Sequence, residues 1–69
     1  MPETVEHPAH YNKGSIEVID FILDKELDFV EGNVVKYVCR HNFKGHLEDL
    51  RKARFYLDLM IKHRELSTI

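Results

Sequence analysis

The chain is short, nearly neutral and poor in cysteine, and these properties exclude several classes of protein. Its 69 residues carry a formal net charge of −2 and one cysteine, Cys39. One cysteine excludes an intrachain disulfide, and the charge argues against non-specific nucleic-acid binding, which needs a basic face. No apolar run has transmembrane length and the N-terminus has no signal-peptide character, so we expect a cytoplasmic protein without a membrane partner. Because a core this small is marginal alone, we also expect a homo-oligomer.

The apolar periodicity predicts an all-α fold, a compact three-helix domain over residues 15–66, preceded by an N-terminal arm of residues 1–14. Ser15 is the expected N-cap of the first helix, which we place at residues 16–27. Asp28 and Glu31 form a capping-box pattern for the second helix, which runs to about His41. After a turn around Gly45, the third helix covers residues 47–65.

The third helix carries two apolar strips, and we expect one to pack within the chain and the other between chains. In the alternative, Phe55 merely lies under the N-terminal arm. The main strip contains Leu50, Ala53, Leu57, Met60 and Ile61, and the second contains Phe55 and Leu59.

A narrow polar stripe runs along the second helix. Winding at about 100° per residue places Asn33, Lys36 and Arg40 on one line of a helix that is otherwise mostly apolar. Buried Lys and Arg side chains need an anionic partner, because an unpaired buried charge is too costly. The stripe therefore faces either acidic side chains or an anionic ligand.

The first helix carries a stripe of the opposite sign, formed by Glu17, Asp20 and Asp24. One interpretation is direct pairing, in which Glu17 and Asp20 neutralise Lys36 and Arg40 across the helical hairpin. In the other, the two stripes line a pocket where the carboxylates of Glu17 and Asp20 hold Mg²⁺ and the cations hold phosphate.

Further candidates flank these helices. His7, His10 and Tyr11 precede the first helix and could stack on a base or donate hydrogen bonds to phosphate. Lys44, with the backbone N–H groups that begin the third helix, forms a natural anion site. Asp49 is expected to point inward, either as a functional carboxylate or in a salt bridge to Arg40 or Lys52. Cys39 is expected to be a small core residue.

These residues together resemble one known pattern, which spans roughly residues 7–60. It resembles a small phage and prophage family known as a domain of unknown function, which also forms part of a coliphage nucleotide kinase. That kinase phosphorylates dTMP and dGMP without a Walker P-loop, and no Walker pattern exists here either. The matching motifs are His7-Pro-x-His10-Tyr11, Ile16-Glu17-x-Ile19-Asp20, Gly32-Asn33-x-x-Lys36-Tyr37-x-x-Arg40, Lys44-Gly45 and Leu47-Glu48-Asp49-Leu50-x-Lys52-Ala53-x-x-Tyr56-Leu57.

The resemblance implies a nucleotide, or another phosphorylated small molecule, as ligand in the host-cell cytoplasm. The implied ligand-binding residues are His7, His10, Tyr11, Asn33, Lys36, Tyr37, Arg40 and Lys44. Three hypotheses follow. The first is a nucleoside monophosphate kinase-like enzyme that uses Mg²⁺, with Asp20 and Asp49 as catalytic carboxylates. The second is a non-catalytic protein that sequesters a nucleotide of host defence signalling, and the third is an all-α, Mg²⁺-dependent nucleotide pyrophosphohydrolase. Whether the chain is an enzyme stays open at this point.

Overall fold

The computed structural model describes residues 14–67 and contains three α-helices. They are α1 (Val18–Asp24), α2 (Phe29–Arg40) and α3 (His46–Ser67). No strand occurs among the described residues, so the predicted all-α fold is confirmed. Helix α3 returns antiparallel along α2, and α1 packs on α2 without contacting α3. The three helices lie in the predicted order, while the homo-oligomer stays a prediction.

Helix α1 is shorter than the predicted 16–27 at both ends. Ser15 does not cap it, because Glu17 occupies the N-cap position, without a side-chain cap hydrogen bond. At the other end Glu26 adopts a left-handed φ of 55°. The N–H groups of Leu27 and Glu26 then donate to the carbonyls of Ile22 and Leu23 at 3.0 and 3.1 Å. This is a Schellman-type ending without the usual glycine, which is why the sequence did not reveal it.

Helix α2 begins as predicted, with both halves of the capping box present. The N–H of Glu31 donates to the Asp28 carboxylate at 2.8 Å, and the N–H of Asp28 donates to the Glu31 carboxylate at 3.0 Å. Gly32 follows in the first turn and is buried against α1. A β-carbon there would lie 3.2 Å from Cγ2 of Ile22, so the missing side chain lets α1 approach α2 closely.

The packing of α3 divides the apolar strip predicted as its main one. The side of α3 that faces α2 carries buried Asp49 and Ala53, with half-buried Tyr56 and Met60. In contrast Leu50, Leu57 and Ile61 stay 40%, 44% and 48% exposed. The five residues of that strip therefore do not form one inward face, because Ala53 and Met60 point to α2 and the other three do not.

The interior of the described region is small and partly polar. Ala53 is the one buried hydrophobic residue among residues 14–67, and Asp49 is the largest fully buried side chain. Cys39 is exposed, so its predicted place in the core is wrong. Within the same residues, no helix combines the length and apolar character that crossing a membrane requires.

Candidate functional site

The first component of the site is a buried ion pair that joins α2 to α3. Nε and Nη2 of Arg40 each donate to one carboxylate oxygen of Asp49, both at 2.9 Å. The backbone N–H of Gly45 donates to the same carboxylate at 3.0 Å. The Asp49 side chain is 1% exposed and that of Arg40 is 20% exposed. A bidentate pair with a third donor is among the strongest side-chain contacts a protein makes, so this Arg40–Asp49 clamp fixes the hairpin.

The connection between α2 and α3 is shaped around this carboxylate. A β-carbon at position 45 would overlap the carboxylate of Asp49, so only glycine fits there. The Arg40 hydrogen bonds hold the pKa of the Asp49 carboxyl below its ordinary value of 3.8, against burial, which raises it. Asp49 is therefore an ionised acceptor near neutral pH, already bound by groups of its own chain.

The second component surrounds the ring of Tyr37, and we call it the Tyr37 cluster: Lys36, Tyr37, Arg40, Lys52 and Tyr56. Tyr56 stacks almost parallel to Tyr37, with an interplanar angle of 9° and ring centroids 6.2 Å apart. The ammonium groups of Lys36 and Lys52 lie 4.9 and 5.4 Å from the Tyr37 centroid, and the Arg40 guanidinium lies 5.0 Å from it. Three cations thus surround one aromatic ring.

The two lysines of this cluster differ from Arg40 in how their charge is balanced. Among residues 14–67 the salt bridges are Lys25–Asp24 and Arg40–Asp49, so neither Lys36 nor Lys52 has a carboxylate within 4.0 Å. Lys52 acts on the Asp49 carboxyl only at longer range, where its charge adds to the lowering of that pKa. Both lysines are half-buried, so an incoming anion would meet two cations that form no salt bridge within residues 14–67.

A shallow cleft lies beside Lys36, where α1 meets α2. It has a volume of about 230 Å³ and is lined by Ile22, Leu27, Asp28, Phe29, Gly32, Asn33 and Lys36. Phe29 is 75% exposed on its rim. Asn33 uses its amide N–H group to bond the Phe29 carbonyl at 2.8 Å, which fixes its side chain along the helix. The volume is below the roughly 300–1,000 Å³ of sites that enclose whole ligands, so it would hold only part of one.

The structure brings some of the predicted site residues together. Lys36, Tyr37 and Arg40 share the Tyr37 cluster, Asn33 lies one turn away, and Asp49 joins them through Arg40. The salt bridge weighed for Asp49 is present, and Arg40 is its partner.

The other predicted residues are not members of this cluster or lie outside the described residues. Asp20 is exposed on α1, and Lys44 is exposed in the connection before α3. Glu17 is half-buried at the start of α1. The predicted roles of His7, His10 and Tyr11 concern positions outside residues 14–67. The assignment of ligand, metal and catalytic roles to all these residues stays a prediction.

No binding role was predicted from the sequence for Lys52 and Tyr56, which are members of the cluster. A signal for them exists, because Asp49, Lys52 and Tyr56 follow one another at spacings of three and four on one face of α3. Among residues 14–67, no three His, Cys, Asp or Glu side chains group together as they would around a metal ion. The Mg²⁺ expected at Glu17 and Asp20 stays a prediction.

Fold and site together define a small all-α domain whose central hairpin carries a buried ion pair and a cationic aromatic cluster. Comparison with known proteins places this domain in a family. The sequence profile of DUF3310, described as a protein of unknown function, matches residues 5–58. The chain belongs to this family, and its profile covers the Arg40–Asp49 clamp and every residue of the Tyr37 cluster.

A curated relative supports the predicted phage character of the family. The chain is 40% identical over 72 aligned positions to the Gene 1.7 protein of Enterobacteria phage T3. The alignment covers 90% of this chain but 44% of that protein, so the chain spans less than half of the relative's length. No solved structure matches the chain significantly.

Proposed function

We propose that the chain binds a nucleotide, or a related phosphorylated aromatic molecule, at the Tyr37 cluster. The observation that carries this proposal is a pair of half-buried lysines, Lys36 and Lys52, whose ammonium groups lie over one ring and form no salt bridge with any carboxylate of residues 14–67. Phosphate supplies the missing negative charge. The ring of Phe29, 75% exposed at the rim of the cleft beside Lys36, offers a surface on which a base can stack.

The proposal assigns different roles to the three cations. Lys36 and Lys52 bind the phosphate directly as mobile point charges. Arg40 already donates two hydrogen bonds to Asp49, so its part in the site is to fix the Tyr37 ring and the positions of the helices. This moves the centre of the predicted phosphate site from Lys36, Arg40 and Lys44 towards Lys36 and Lys52.

Binding is supported better than catalysis by the described residues. Asp49 is enclosed by Arg40 and Gly45, which leaves it poorly placed to accept a proton from a substrate. Asp20 is exposed on α1, a helix that does not contact α3. We therefore propose a nucleotide-binding or sequestering role for this chain. Kinase-like phosphoryl transfer is the second candidate, supported by the family resemblance given above.

The test is calorimetric titration of nucleoside mono-, di- and triphosphates and of the matching nucleosides, with and without Mg²⁺. We expect binding that requires the phosphate and that Lys36→Ala or Lys52→Ala each weakens about tenfold or more. Lys62→Ala is the matched control, since Lys62 is an exposed lysine of α3 outside the cluster. No binding by any nucleotide, or equal losses in all three variants, would overturn the proposal.

Product analysis separates the two candidates. A nucleoside monophosphate is incubated with a triphosphate donor of a different base and Mg²⁺. The diphosphate formed from the monophosphate is measured in wild type and in Asp20→Asn. Binding without turnover supports sequestration. Turnover that Asp20→Asn removes, with nucleotide binding retained, would instead establish the kinase-like enzyme and the predicted role of Asp20.

A further inference from the structure

The face of α3 that points away from α2 carries a regular seam. Its residues recur at alternating steps of three and four, which is the heptad spacing of a coiled coil. We call these residues the α3 seam: Leu47, Leu50, Arg54, Leu57, Ile61 and Arg64. The seam extends over 18 residues, or about 27 Å at 1.5 Å per residue.

The seam is uncovered in the single chain. Its four apolar members are between 40% and 58% exposed, although Ala53 is the one hydrophobic residue that the described region buries. A domain of this size with so small an interior needs further apolar contact to be stable. A heptad seam on a 22-residue helix supplies such contact when it packs against another helix with the same spacing.

Charges beside the seam indicate that the helix packed against it is a second copy of α3. Arg51 and Asp58 are exposed, lie seven residues apart and occupy the same heptad position, next to the seam. When two copies of α3 pack antiparallel with Leu50 facing Ile61 of the partner subunit, Arg51 lies opposite Asp58 of the partner subunit. The two-fold symmetry repeats this pair, so both contacts join opposite charges. A parallel pair of copies brings no such contact.

We propose that the α3 seam is the interface of an antiparallel homodimer of this chain. The same seam on both copies pairs opposite charges across the two-fold axis, as an isologous interface requires. Arg54 lies near the dimer axis, where its stem packs on Leu57 of the partner subunit and its guanidinium reaches the rim near the partner's Asp58. The Tyr37 cluster lies on the other side of the α2–α3 hairpin and stays open. The dimer therefore does not rest on the proposed nucleotide function.

Two substitutions on the same helix provide a matched test. Leu57 in the seam is 44% exposed and Leu59 outside it is 41% exposed, so a charge at either position removes a similar area of apolar surface. Sedimentation equilibrium should show a dimer for wild type and for Leu59→Asp. Leu57→Asp should raise the dissociation constant about a hundredfold or more, because the dimer loses the contact twice.

Charge exchange tests the antiparallel arrangement without touching the apolar contact. Arg51→Glu places only acidic residues at the two positions, and Asp58→Arg places only basic residues there. Each variant alone should dimerise about tenfold more weakly than wild type, most clearly at low ionic strength. An equimolar mixture of the two should form a heterodimer, in which opposite charges again face each other.

Each possible result either supports or overturns the α3 seam as the dimer interface. A wild type that is monomeric at all concentrations, or dimers that Leu59→Asp separates and Leu57→Asp does not, would overturn the seam as the interface. If Arg51→Glu and Asp58→Arg form no heterodimer when they are mixed, the antiparallel arrangement is overturned. If Leu57→Asp fails to fold, as circular dichroism would reveal, recombination of the charge variants still decides.

Discussion

Lys36 and Arg40 lie one turn apart on α2 and contact the same Tyr37 ring, at 4.9 and 5.0 Å, yet they have opposite surroundings. Arg40 is bound at two nitrogens by a fully buried carboxylate. Lys36, like Lys52, contacts the ring and forms no salt bridge with the residues described. Position on a helical stripe therefore does not define the role of a cation. What defines it is whether the chain itself supplies the counter-charge.

This difference predicts two kinds of variant. Removing a member of the Arg40–Asp49 clamp leaves a buried charge without its partner, so folding should suffer first. Removing Lys36 or Lys52 takes away a cation that the fold does not neutralise, so binding should suffer and folding should not. The following predictions separate the two kinds, beginning with the largest expected change.

The largest effect is expected for Asp49→Ala. This variant removes the two hydrogen bonds that Arg40 donates to the Asp49 carboxylate and also removes the acceptor of the Gly45 N–H. We expect the free energy of unfolding in urea to fall by about 3 kcal/mol, at the lower end of values for broken buried pairs because Arg40 is partly exposed. Lys36→Ala is the control and should change it by less than about 0.5 kcal/mol. Equal losses in both variants would contradict the comparison.

Gly45→Ala should act through the same carboxylate and cost about 1–3 kcal/mol, because the new β-carbon overlaps Asp49. A double-mutant cycle locates the cause. When Asp49→Ala is already present, no carboxylate remains to be displaced, and Gly45→Ala should become nearly neutral. If Gly45→Ala costs the same in both backgrounds, the backbone conformation rather than the clamp requires the glycine.

Acid should weaken the clamp to a smaller extent. The pKa of the Asp49 carboxyl is lower in the folded chain than its ordinary value of 3.8, so the unfolded chain binds the proton more readily. The stabilisation is fully present above that value and is lost as the pH falls from 3.8 through the folded-state pKa. Denaturant midpoints of wild type and Asp49→Asn, measured against pH, should converge in this range. A constant difference between them would show that ionisation of Asp49 does not stabilise the fold.

The sequence was sufficient to predict structure that depends only on residues close together along the chain. Asp28 and Glu31 form the capping box that their spacing predicted, since the contact is local to three residues. The early end of α1 was missed because Glu26 takes the left-handed position that glycine normally marks. The inward side of α3 was misassigned for Leu50, Leu57 and Ile61 because a helix with more than one apolar strip has no unique inner face by periodicity alone.

The arrangement of the Arg40–Asp49 clamp and the Tyr37 cluster was predictable from the sequence only in part. Helical winding correctly aligned Lys36 with Arg40, and Asp49 was expected to point inward with Arg40 as one possible partner. The spacing cannot decide between partners, because that choice depends on how α3 crosses α2 and on the close approach that Gly45 permits. Lys52 and Tyr56 were overlooked as site residues because they come from another helix, and only the packing brings them to Tyr37.

The smallest change in folding is expected for the double variant Lys36→Ala, Lys52→Ala, which tests whether the fold requires either lysine. Two like charges near one ring repel each other, so their removal should leave the free energy of unfolding within about 0.5 kcal/mol of wild type or raise it slightly. Pyrophosphate should raise the Tm of wild type, since an anion that binds only the folded chain stabilises it, and should leave the double variant unchanged. A loss above about 1 kcal/mol without any pyrophosphate effect in wild type would mean that both lysines are structural, as Arg40 is.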